Sequence, residues 1–300
     1  MNLSNSSARA VVRVPASTSN LGPGFDTLGI ALNLYNRIEI RRAQSRGVKI
    51  ISAIEDKART GAIQMLTEAA RAFWKESRAR PFGIEADLTG DVPIARGLGS
   101  SVTARLGVIA GLNEMTHAGI SRHRLMEIVA RLEHHPDNAA PAVFGGFNVA
   151  GLTGKTLRSF HVPVAPQLRF VTLIPRFEIS TEMARQLVPD QFSKADTIHN
   201  LNRAALITAA FAQRDYDQLR GLFEDRVHQP YRQRLIPQLF KVIAAGEKAG
   251  ALGGWLSGSG STIICLTLEN SERIGSAMRR QLPDSEIKIL RADNRGLQIL

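Results

Sequence analysis

Strand-like and helix-like segments alternate along the whole chain, and this alternation limits the fold more than any other feature of the sequence. In residues 82–88, apolar side chains fall on every second position, which is the period of a half-buried strand. In residues 122–133, apolar side chains recur at i, i+3, i+4 and i+7 from Leu125, which is the period of an amphipathic helix. The predicted strands are 10–14, 37–41, 48–52, 82–88, 144–151, 168–174, 262–268 and 286–290. The predicted helices are 62–74, 100–115, 122–133, 197–212, 233–249 and 271–281.

The length of the chain predicts two domains. Its 300 residues are 44% apolar, which is enough to bury a substantial core. Turn-rich segments at 153–155 and 163–166 interrupt the periodic pattern near the middle. We therefore place a boundary near residue 155, between a domain of residues 1–155 and a domain of residues 156–300.

Neither a membrane span nor a disulfide is expected. No apolar run approaches the roughly 20 residues that cross a bilayer, and the start MNLSNSSAR lacks the apolar centre of a signal peptide. We expect a soluble, cytoplasmic protein without a membrane partner. The only cysteine, Cys265, excludes a disulfide within the chain and argues against a cysteine-based metal site. Its place in the apolar run STIICLTL predicts a buried strand residue.

The formal net charge of +11 calls for an anionic partner, which could be nucleic acid, lipid or a small phosphate or carboxylate. Lysine and arginine are scattered singly or in short pairs, and aromatic residues make up only 6% of the chain. There is no basic tail and no run of aromatic residues on which bases could stack. These features argue against nucleic acid as the partner and favour a solvated basic surface.

A glycine- and serine-rich stretch, Gly97-Leu-Gly-Ser-Ser101, leads into the predicted helix 100–115. Glycines in front of a helix let the backbone come close to a ligand, and the first N–H groups of the helix have no acceptor of their own. The stretch therefore predicts a site for an anion, with phosphate as the natural ligand. It matches neither a Walker A loop nor the dinucleotide-binding G-x-G-x-x-G pattern. The alternative is that Ser100 simply caps the helix.

Two further segments, residues 12–32 (VRVPASTSNLGPGFDTLGIAL) and 253–266 (GGWLSGSGSTIICL), accompany this stretch. In this order, the three segments resemble the three motifs of the GHMP kinase superfamily. Within it, the chain is most similar to the homoserine kinases over nearly its whole length. The segments 133–147 (EHHPDNAAPAVFGGF), 180–189 (STEMARQLVP) and 225–237 (DRVHQPYRQRLIP) carry this closer resemblance.

The resemblance implies a fold and an activity. The fold is α+β, with an N-terminal domain like domain two of ribosomal protein S5 and a C-terminal ferredoxin-like domain, and with ATP and substrate between them. The activity is ATP-dependent phosphorylation of the hydroxyl of L-homoserine to O-phospho-L-homoserine, a step of threonine biosynthesis. Two alternatives stay open, another small-molecule GHMP kinase acting on mevalonate or a sugar, and a basic nucleic-acid-binding protein. A homodimer is also left open.

The resemblance also implies a substrate pocket. Homoserine carries an ammonium, a carboxylate and the reacting hydroxyl, so its pocket needs both an anion and cations. Asp26 would hold the ammonium, and Arg185 and Arg232 the carboxylate, because guanidinium forks bind carboxylates bidentately. Taken singly, each arginine is better explained as a solvated or ion-paired surface group. The substrate-binding residues implied in this way are Asn20, Asp26, His135, Asn138, Thr181, Arg185 and Arg232.

The family's nucleotide site maps onto the glycine-rich stretch. Backbone amides of Arg96, Gly97, Leu98, Gly99, Ser100 and Ser101 would surround the phosphates of ATP. The magnesium site would use Ser101 and Glu133, since Mg²⁺ prefers hard oxygen ligands and keeps several water and phosphate oxygens. Taken alone, Glu133 is more commonly explained as an exposed residue at a helix end. The adenine contacts are placed only loosely, around residues 56–64.

The implied catalytic residues are Asn138, Glu133 and Ser101. Phosphoryl transfer passes through a loose transition state, so a strong base is unnecessary, and we infer that Asn138 orients the hydroxyl. Asp137 and His135 are alternative bases.

The sequence departs from the family pattern in three places. Val-Thr-Ala-Arg at 102–105 replaces a run of alanines, His134 replaces a glycine, and Ser261 in the third motif replaces a proline. The third motif itself, residues 256–261, is expected to support the phosphate loop, with a plain flexible hairpin as the alternative.

Overall fold

The computed structural model describes residues 8–53 and 56–300, without the side chains of residues 56 and 57. Its strands are β1 (Arg9–Ser19), β2 (Leu28–Arg42), β3 (Val48–Ile50), β4 (Ile84–Gly90), β5 (Phe147–Thr153), β6 (Thr156–Val162), β7 (Arg169–Pro175), β8 (Gly253–Leu256), β9 (Ile263–Thr267), β10 (Ser285–Leu290) and β11 (Gln298–Ile299). Its helices are α1 (Asp56–Ser77), α2 (Ser100–Thr116), α3 (Arg122–Glu133), α4 (Ala139–Phe144), α5 (Thr181–Gln186), α6 (Lys194–Gln213), α7 (Gln229–Arg232), α8 (Leu239–Lys248) and α9 (Ser271–Gln281), and a 3-10 turn covers Tyr216–Leu219.

The strands form two sheets in the part of the chain that is described. The first follows the order β11-β1-β2-β4-β3, with the β5–β6 hairpin paired to the other end of β2. A register shift between Pro15 and Ala16 bends β1, at a proline that cannot donate to the ladder. The predicted boundary near residue 155 lies in the turn of the β5–β6 hairpin, and the two-domain division at that residue stays a prediction.

The second sheet is antiparallel, with the order β10-β7-β9-β8. With α8 and α9, its strands follow the chain order β-α-β-β-α-β, which is the ferredoxin-like arrangement. The prediction of a ferredoxin-like C-terminal half is therefore confirmed, as is the mixed class of the fold. Cys265 lies buried in β9 as expected, and this burial raises the pKa of its thiol.

Three apolar cores hold these layers together. One lies between the first sheet and helices α1 to α4, and another lies between the second sheet and α8 and α9. The central core fills the space between the two sheets. Strand β7 shows the division clearly, since Phe170 and Ile174 enter the central core while Val171 and Leu173 face α8 and α9.

Several predicted elements are wrong at their ends. The predicted helix 233–249 is too long at its start: α8 begins only at Leu239, because the residue before Pro237 is disfavoured in helical backbone. The predicted strand 144–151 begins only at Phe147, since Gly145 and Gly146 adopt φ of +76° and +67° at the end of α4. Strand β2 is 15 residues long, and only its second half was predicted. The predicted helix 122–133 is confirmed to the residue, with Ser121 accepting a hydrogen bond from the Arg124 N–H as its cap.

Candidate active site

One narrow cleft, of about 50 Å³, collects residues from all three glycine-containing motifs. It is bordered by the loop after β1, the loop before α2, the segment after α3, helices α5 and α7, and the β8–β9 loop. The predicted site residues that line it are Asn20, Asp26, Gly97, Gly99, Ser101, Glu133, His135, Asn138, Thr181, Arg185 and Arg232. The side chains of Arg96, Leu98 and Ser100 do not line it. A larger cavity, of about 400 Å³, lies between α1 and β4 and contains none of the predicted residues.

The loop before α2 leaves its backbone facing the cleft. Gly97 and Gly99 adopt φ of +74° and +72°, which side chains rarely tolerate. Helix α2 begins at Ser100 after Gly99, and no side chain caps its first N–H groups. The alternative interpretation of Ser100 as the helix cap is therefore wrong, because the cap position belongs to Gly99. Uncapped N–H groups at a helix start are suited to bind an anion.

The neighbouring residues of this loop are fixed away from the cleft. The Arg96 guanidinium donates to the carbonyls of Pro175 (2.9 Å) and Ile94 (3.0 Å). Leu98 is fully buried in the central core, and its carbonyl accepts from the Ser17 N–H at 3.1 Å. Only the backbone of these residues is therefore available for a ligand.

The third motif holds the same loop from the other side. The Ser257 hydroxyl donates to the Gly97 carbonyl (2.7 Å), and the Thr262 N–H donates to the Arg96 carbonyl (3.1 Å). A side chain at Gly97 would place its Cβ 2.0 Å from the Ser257 carbonyl oxygen. The β8–β9 loop is thus a fitted support for the glycine loop, and the alternative of a plain flexible hairpin is wrong.

Ser101 and Glu133 meet at one end of the cleft, although they lie on different helices. The Ser101 hydroxyl donates to Glu133 Oε2 at 2.9 Å, and Arg105 donates to Glu133 Oε1 at 3.0 Å. Arg105 also donates to the Leu132 carbonyl (2.6 Å) and to Glu68 on α1 (3.3 Å). One of the family departures, the arginine at position 105, therefore orients a predicted metal ligand.

A second departure has a structural cost. His134 follows the last residue of α3 and adopts φ of +67°, a left-handed conformation that favours glycine. A glycine, which the family has at this position, adopts that backbone conformation without strain. The exposed His134 adopts it at a cost in conformational energy, because its Cβ disfavours a positive φ.

The cleft has a basic side. Arg185 on α5 forms a bidentate ion pair with Asp26 at 2.8 and 2.9 Å, and this bond raises the pKa of Arg185. Arg232 on α7 is 3% exposed and donates to the carbonyls of Ala184 (3.2 Å) and Gly258 (3.0 Å). No carboxylate of the described chain lies within ion-pair distance of Arg232. Burial, together with the nearby Arg185, lowers the pKa of Arg232 to about 10.

The cleft also has an acidic side. Carboxylate oxygens of Asp26 and Asp137 and a ring nitrogen of His135 all lie within 4.8 Å of one another. Burial opposes charge on both members of the 2.5 Å His135–Asp137 bond, but the bond and the opposite charge outweigh it. The pKa of His135 is therefore raised, and the pKa of Asp137 is lowered. The combination of carboxylates and guanidinium groups in one cleft suits a zwitterion.

Asn138 is fixed by two serines of β1. It accepts a hydrogen bond from the Ser17 hydroxyl (2.8 Å) and donates to the Ser19 hydroxyl (2.9 Å). Asn20, in turn, organises the loop after β1 by accepting from the Asp26 N–H (3.1 Å) and donating to the Gly258 carbonyl (3.2 Å). Thr181 hydrogen-bonds with the Ser259 hydroxyl at 3.3 Å.

Two neighbours of the predicted residues were missed in the sequence. Phe25 lines the cleft, and its ring lies 5.1 Å from the Arg232 guanidinium and 5.5 Å from that of Arg185. His228 stacks on the same ring at 5.0 Å. The position of Phe25 beside Asp26, and of His228 four residues before Arg232, was the available signal. Of the predicted adenine contacts at 56–64, residues 58–64 line no part of the cleft, and the side chains of residues 56 and 57 lie outside the described part.

Comparison with known proteins identifies the family. The family models of the GHMP kinases N terminal domain and the GHMP kinases C terminal match residues 64–146 and 207–284. The homoserine kinase of Clostridium botulinum is 37% identical over 294 residues, which cover 96% of this chain and 98% of the relative. The chain belongs to the homoserine kinase family. The homoserine kinase of Moorella thermoacetica is similar too, at 38% identity over 89% of this chain and 90% of the relative.

Solved structures agree with this family fold. The crystal structure of homoserine kinase from Cytophaga hutchinsonii matches with a TM-score of 0.88 and 25% identity, over 100% of both chains. A mevalonate kinase structure matches with a TM-score of 0.68 at 14% identity, over 95% of this chain and 99% of the other, which shows the common fold alone. The α+β GHMP kinase fold is thus confirmed. Within the described residues, no helix is long and apolar enough to cross a membrane.

Proposed function

We propose that this chain transfers the γ-phosphoryl group of ATP to the hydroxyl of L-homoserine, which yields O-phospho-L-homoserine and ADP. The observation that carries the proposal is Arg232, a buried cation that has no carboxylate partner in the described chain and lines the same cleft as the glycine loop. A buried charge without a partner is costly. A substrate carboxylate beside the phosphate site would remove that cost.

The glycine loop and the start of α2 bind the phosphates of ATP in this proposal. Gly97 and Gly99 present backbone without side chains, and the first N–H groups of α2 are uncapped. Donors of this kind favour the negative charge that spreads over the phosphoryl oxygens during transfer.

The residues at the end of the cleft fit a magnesium ion. The Ser101 hydroxyl and the Glu133 carboxylate, whose oxygens lie 2.9 Å apart, are the hard oxygen donors that would hold Mg²⁺. A bound Mg²⁺ would neutralise charge on the phosphates. Arg105 restricts the rotation of the Glu133 carboxylate and so keeps it in position for this role.

Homoserine is held by charge on both sides of the cleft. Its ammonium faces Asp26, and its carboxylate faces Arg185 and Arg232, while Thr181, His135 and Asn20 complete the pocket. Because Asp26 and Arg185 bind each other at 2.8 and 2.9 Å, the two charged groups of homoserine enter by exchanging with this ion pair. After the exchange, Asp26 faces the ammonium and Arg185 faces the carboxylate, so each side chain still has an oppositely charged partner.

The reacting hydroxyl is oriented by Asn138, whose amide is fixed by Ser17 and Ser19. Asp137 is a poor base by comparison, because its carboxylate already accepts from His135, and this bond lowers its pKa. His135 is engaged in the same bond. As the bond from the homoserine oxygen to phosphorus forms and the bond to ADP breaks, the hydroxyl proton accordingly passes to a phosphate oxygen, as a loose transition state permits.

We propose the remaining context with the same function. The reaction serves threonine biosynthesis in the cytoplasm, it uses Mg²⁺, and the partners of the chain are small molecules rather than nucleic acid. The charge pattern supports the last point, since Arg185 in the cleft is paired with Asp26 and the other lysines and arginines are scattered singly or in short pairs along the sequence. A homodimer stays a prediction.

The test is ADP release from ATP with L-homoserine, beside mevalonate, galactose and shikimate. We expect homoserine to be strongly preferred, because a neutral sugar has no group for Asp26 or Arg232. Arg232→Ala should mainly raise the KM for homoserine, and Glu133→Ala should mainly abolish turnover. Equal rates across the panel would refute the assignment of the pocket. Salt-sensitive RNA binding without ATP turnover would favour the nucleic-acid alternative.

A further inference from the structure

The imidazole of His228 is completely buried, and both of its nitrogens have a partner of fixed character. Nε2 lies 2.9 Å from the Gly22 carbonyl oxygen, and Nδ1 lies 3.2 Å from Nη1 of Arg232. A carbonyl only accepts and a guanidinium only donates, so Nε2 must carry the hydrogen and Nδ1 must accept. The partners therefore specify a neutral imidazole with the hydrogen on Nε2.

The neighbouring carboxylate does not need a proton from this ring. Asp225 accepts from the backbone N–H groups of Val227 (2.9 Å), His228 (3.0 Å) and Gln229 (2.6 Å), and from the Asn200 amide (2.7 Å). These bonds satisfy its charge and fix the turn that places His228 in front of α7. Asp225 Oδ2 lies 3.4 Å from Nε2, farther than the Gly22 oxygen. Burial lowers the pKa of His228, and Arg232 acts in the same direction, which agrees with a neutral ring.

The ring connects two parts of the cleft that are far apart in sequence. Gly22 and Phe25 belong to the loop after β1, and Phe25 stacks on His228 at 5.0 Å with 20° between the planes. Arg232 lies over the same phenyl ring and is 3% exposed. Its Nε and Nη1 are held by Ala184, Gly258 and His228, whereas Nη2 has no acceptor in the described chain. One edge of the guanidinium is thus fixed, and the other is free for a ligand.

We propose that His228, as the neutral Nε2–H tautomer, is a positioning residue that orients Arg232 toward the carboxylate of the amino-acid substrate. The proposal rests on the proposed function, since it assigns the substrate carboxylate to Arg232. It gives the buried histidine a specific task, the acceptance of one guanidinium hydrogen. A cationic ring, or the other tautomer, would present a hydrogen to Arg232 and displace it.

Two substitutions of His228 distinguish its role as a hydrogen-bond acceptor for Arg232 from a purely structural role in packing. In His228→Asn, the amide oxygen takes the place of Nδ1 and still accepts from Arg232, but the donor to Gly22 is lost. In His228→Gln, the amide nitrogen reaches the place of Nε2 and donates to Gly22, but no acceptor remains beside Arg232. We expect the KM for homoserine to rise about tenfold in His228→Gln, the loss of one hydrogen bond to a charged group, and less than about threefold in His228→Asn. The kcat and the KM for ATP should stay within about twofold of wild type in both.

Equal increases in the KM for homoserine in the two variants, or a larger effect in His228→Asn, would overturn the proposal. A second readout does not depend on the substrate. Long-range ¹H–¹⁵N spectra of histidine-labelled protein should contain one ring signal of the neutral Nε2–H form that disappears in His228→Asn. A signal of the Nδ1–H or cationic form at this position at neutral pH would also overturn it. If the wild-type protein shows that signal but no homoserine-dependent ADP release, the proposed function fails while the tautomer assignment stands.

Discussion

Replacing Gly97 by Ala tests whether the glycine loop and the third motif form one fitted unit. The residue has φ of +74°, and a Cβ there would lie 2.0 Å from the Ser257 carbonyl oxygen, a backbone atom. The left-handed conformation costs about 1–2 kcal/mol for a non-glycine residue, and alanine recovers part of this through the unfolded state. Moving the β8–β9 loop away adds about 1–3 kcal/mol, the usual range for overpacking. We expect a loss of about 3 kcal/mol in the free energy of unfolding.

Gly154 supplies the matched control. It has φ of +63° in the β5–β6 turn, and a Cβ there would meet nothing within 4 Å. Gly154→Ala therefore isolates the backbone cost, and we expect a loss of about 1 kcal/mol or less. Urea unfolding of the wild type and the two variants measures the difference. Activity should separate them as well, with kcat/KM for ATP at least tenfold lower in Gly97→Ala and unchanged in Gly154→Ala.

Equal losses of stability in the two variants would refute the reasoning, because the contact with Ser257 would then have no energetic consequence. An unchanged kcat/KM for ATP in Gly97→Ala would show that the glycine loop does not take part in nucleotide binding. Gly99→Ala gives an intermediate case. Its Cβ would lie 2.5 Å from the Ser17 hydroxyl, a side-chain atom that moves more easily than backbone.

Three further predictions concern charged groups. Arg105→Ala should raise the Mg²⁺ concentration for half-maximal activity about tenfold, since the Glu133 carboxylate loses the partner that orients it. His135→Gln should destabilise the fold most between about pH 4 and 6.5, the ordinary pKa values of aspartate and histidine, where the His135–Asp137 pair is charged in the folded state. The pKa of His135 is raised in the folded state, so the stabilisation by the pair is lost as the pH rises through this raised pKa. The pKa of Asp137 is lowered in the folded state, so the stabilisation is also lost as the pH falls through this lowered pKa. Glu39→Gln should lower the free energy of unfolding by about 1–3 kcal/mol, because this buried carboxylate lies among three arginines.

Each of these has its own control. Arg105→Lys keeps the positive charge but loses the two-pronged guanidinium, so its affinity for Mn²⁺ in the nucleotide complex, measured by electron paramagnetic resonance, should lie between those of the wild type and Arg105→Ala. A wild-type affinity for Mn²⁺ in Arg105→Ala would contradict the positioning role. A pH-independent difference between wild type and His135→Gln in urea unfolding contradicts the charged pair. Glu85→Gln removes an exposed pair with Lys49 and should change stability by less than about 0.5 kcal/mol. A loss as large as that of Glu39→Gln would contradict the role of burial.

The parts of the site that the sequence predicted are those carried by local patterns. Glycines before a helix, and charged residues inside short motifs, are visible in a single segment, and the structure collects Gly97, Ser101, Glu133 and Arg232 in one cleft. The helix 122–133 was predicted to the residue from its apolar period, and the structure shows that Ser121 caps its start.

What the sequence did not predict depends on contacts between distant segments. The ion pair of Asp26 with Arg185 joins residues 159 positions apart, and the bond of His228 to Gly22 joins residues 206 apart. Neither pair has a periodic signal. The first half of β2 was missed for a similar reason, since both of its neighbours, β1 and β5, are needed to define it. Pro237, which lies just before the start of α8, was a local signal that the prediction of a helix over 233–249 overlooked.

The last strand has a consequence for synthesis in the cell. Gln298 and Ile299 pair with Arg13 and Val12, so the outer edge of the first sheet is covered only by residues translated about 285 positions later. At roughly 5–20 residues per second, the ribosome needs about 15–60 seconds to deliver them. Throughout that interval, β1 offers unpaired backbone groups to any other extended chain. The nascent polypeptide is therefore exposed to edge-to-edge association before its own β11 arrives, which makes chaperone protection during translation valuable for this fold.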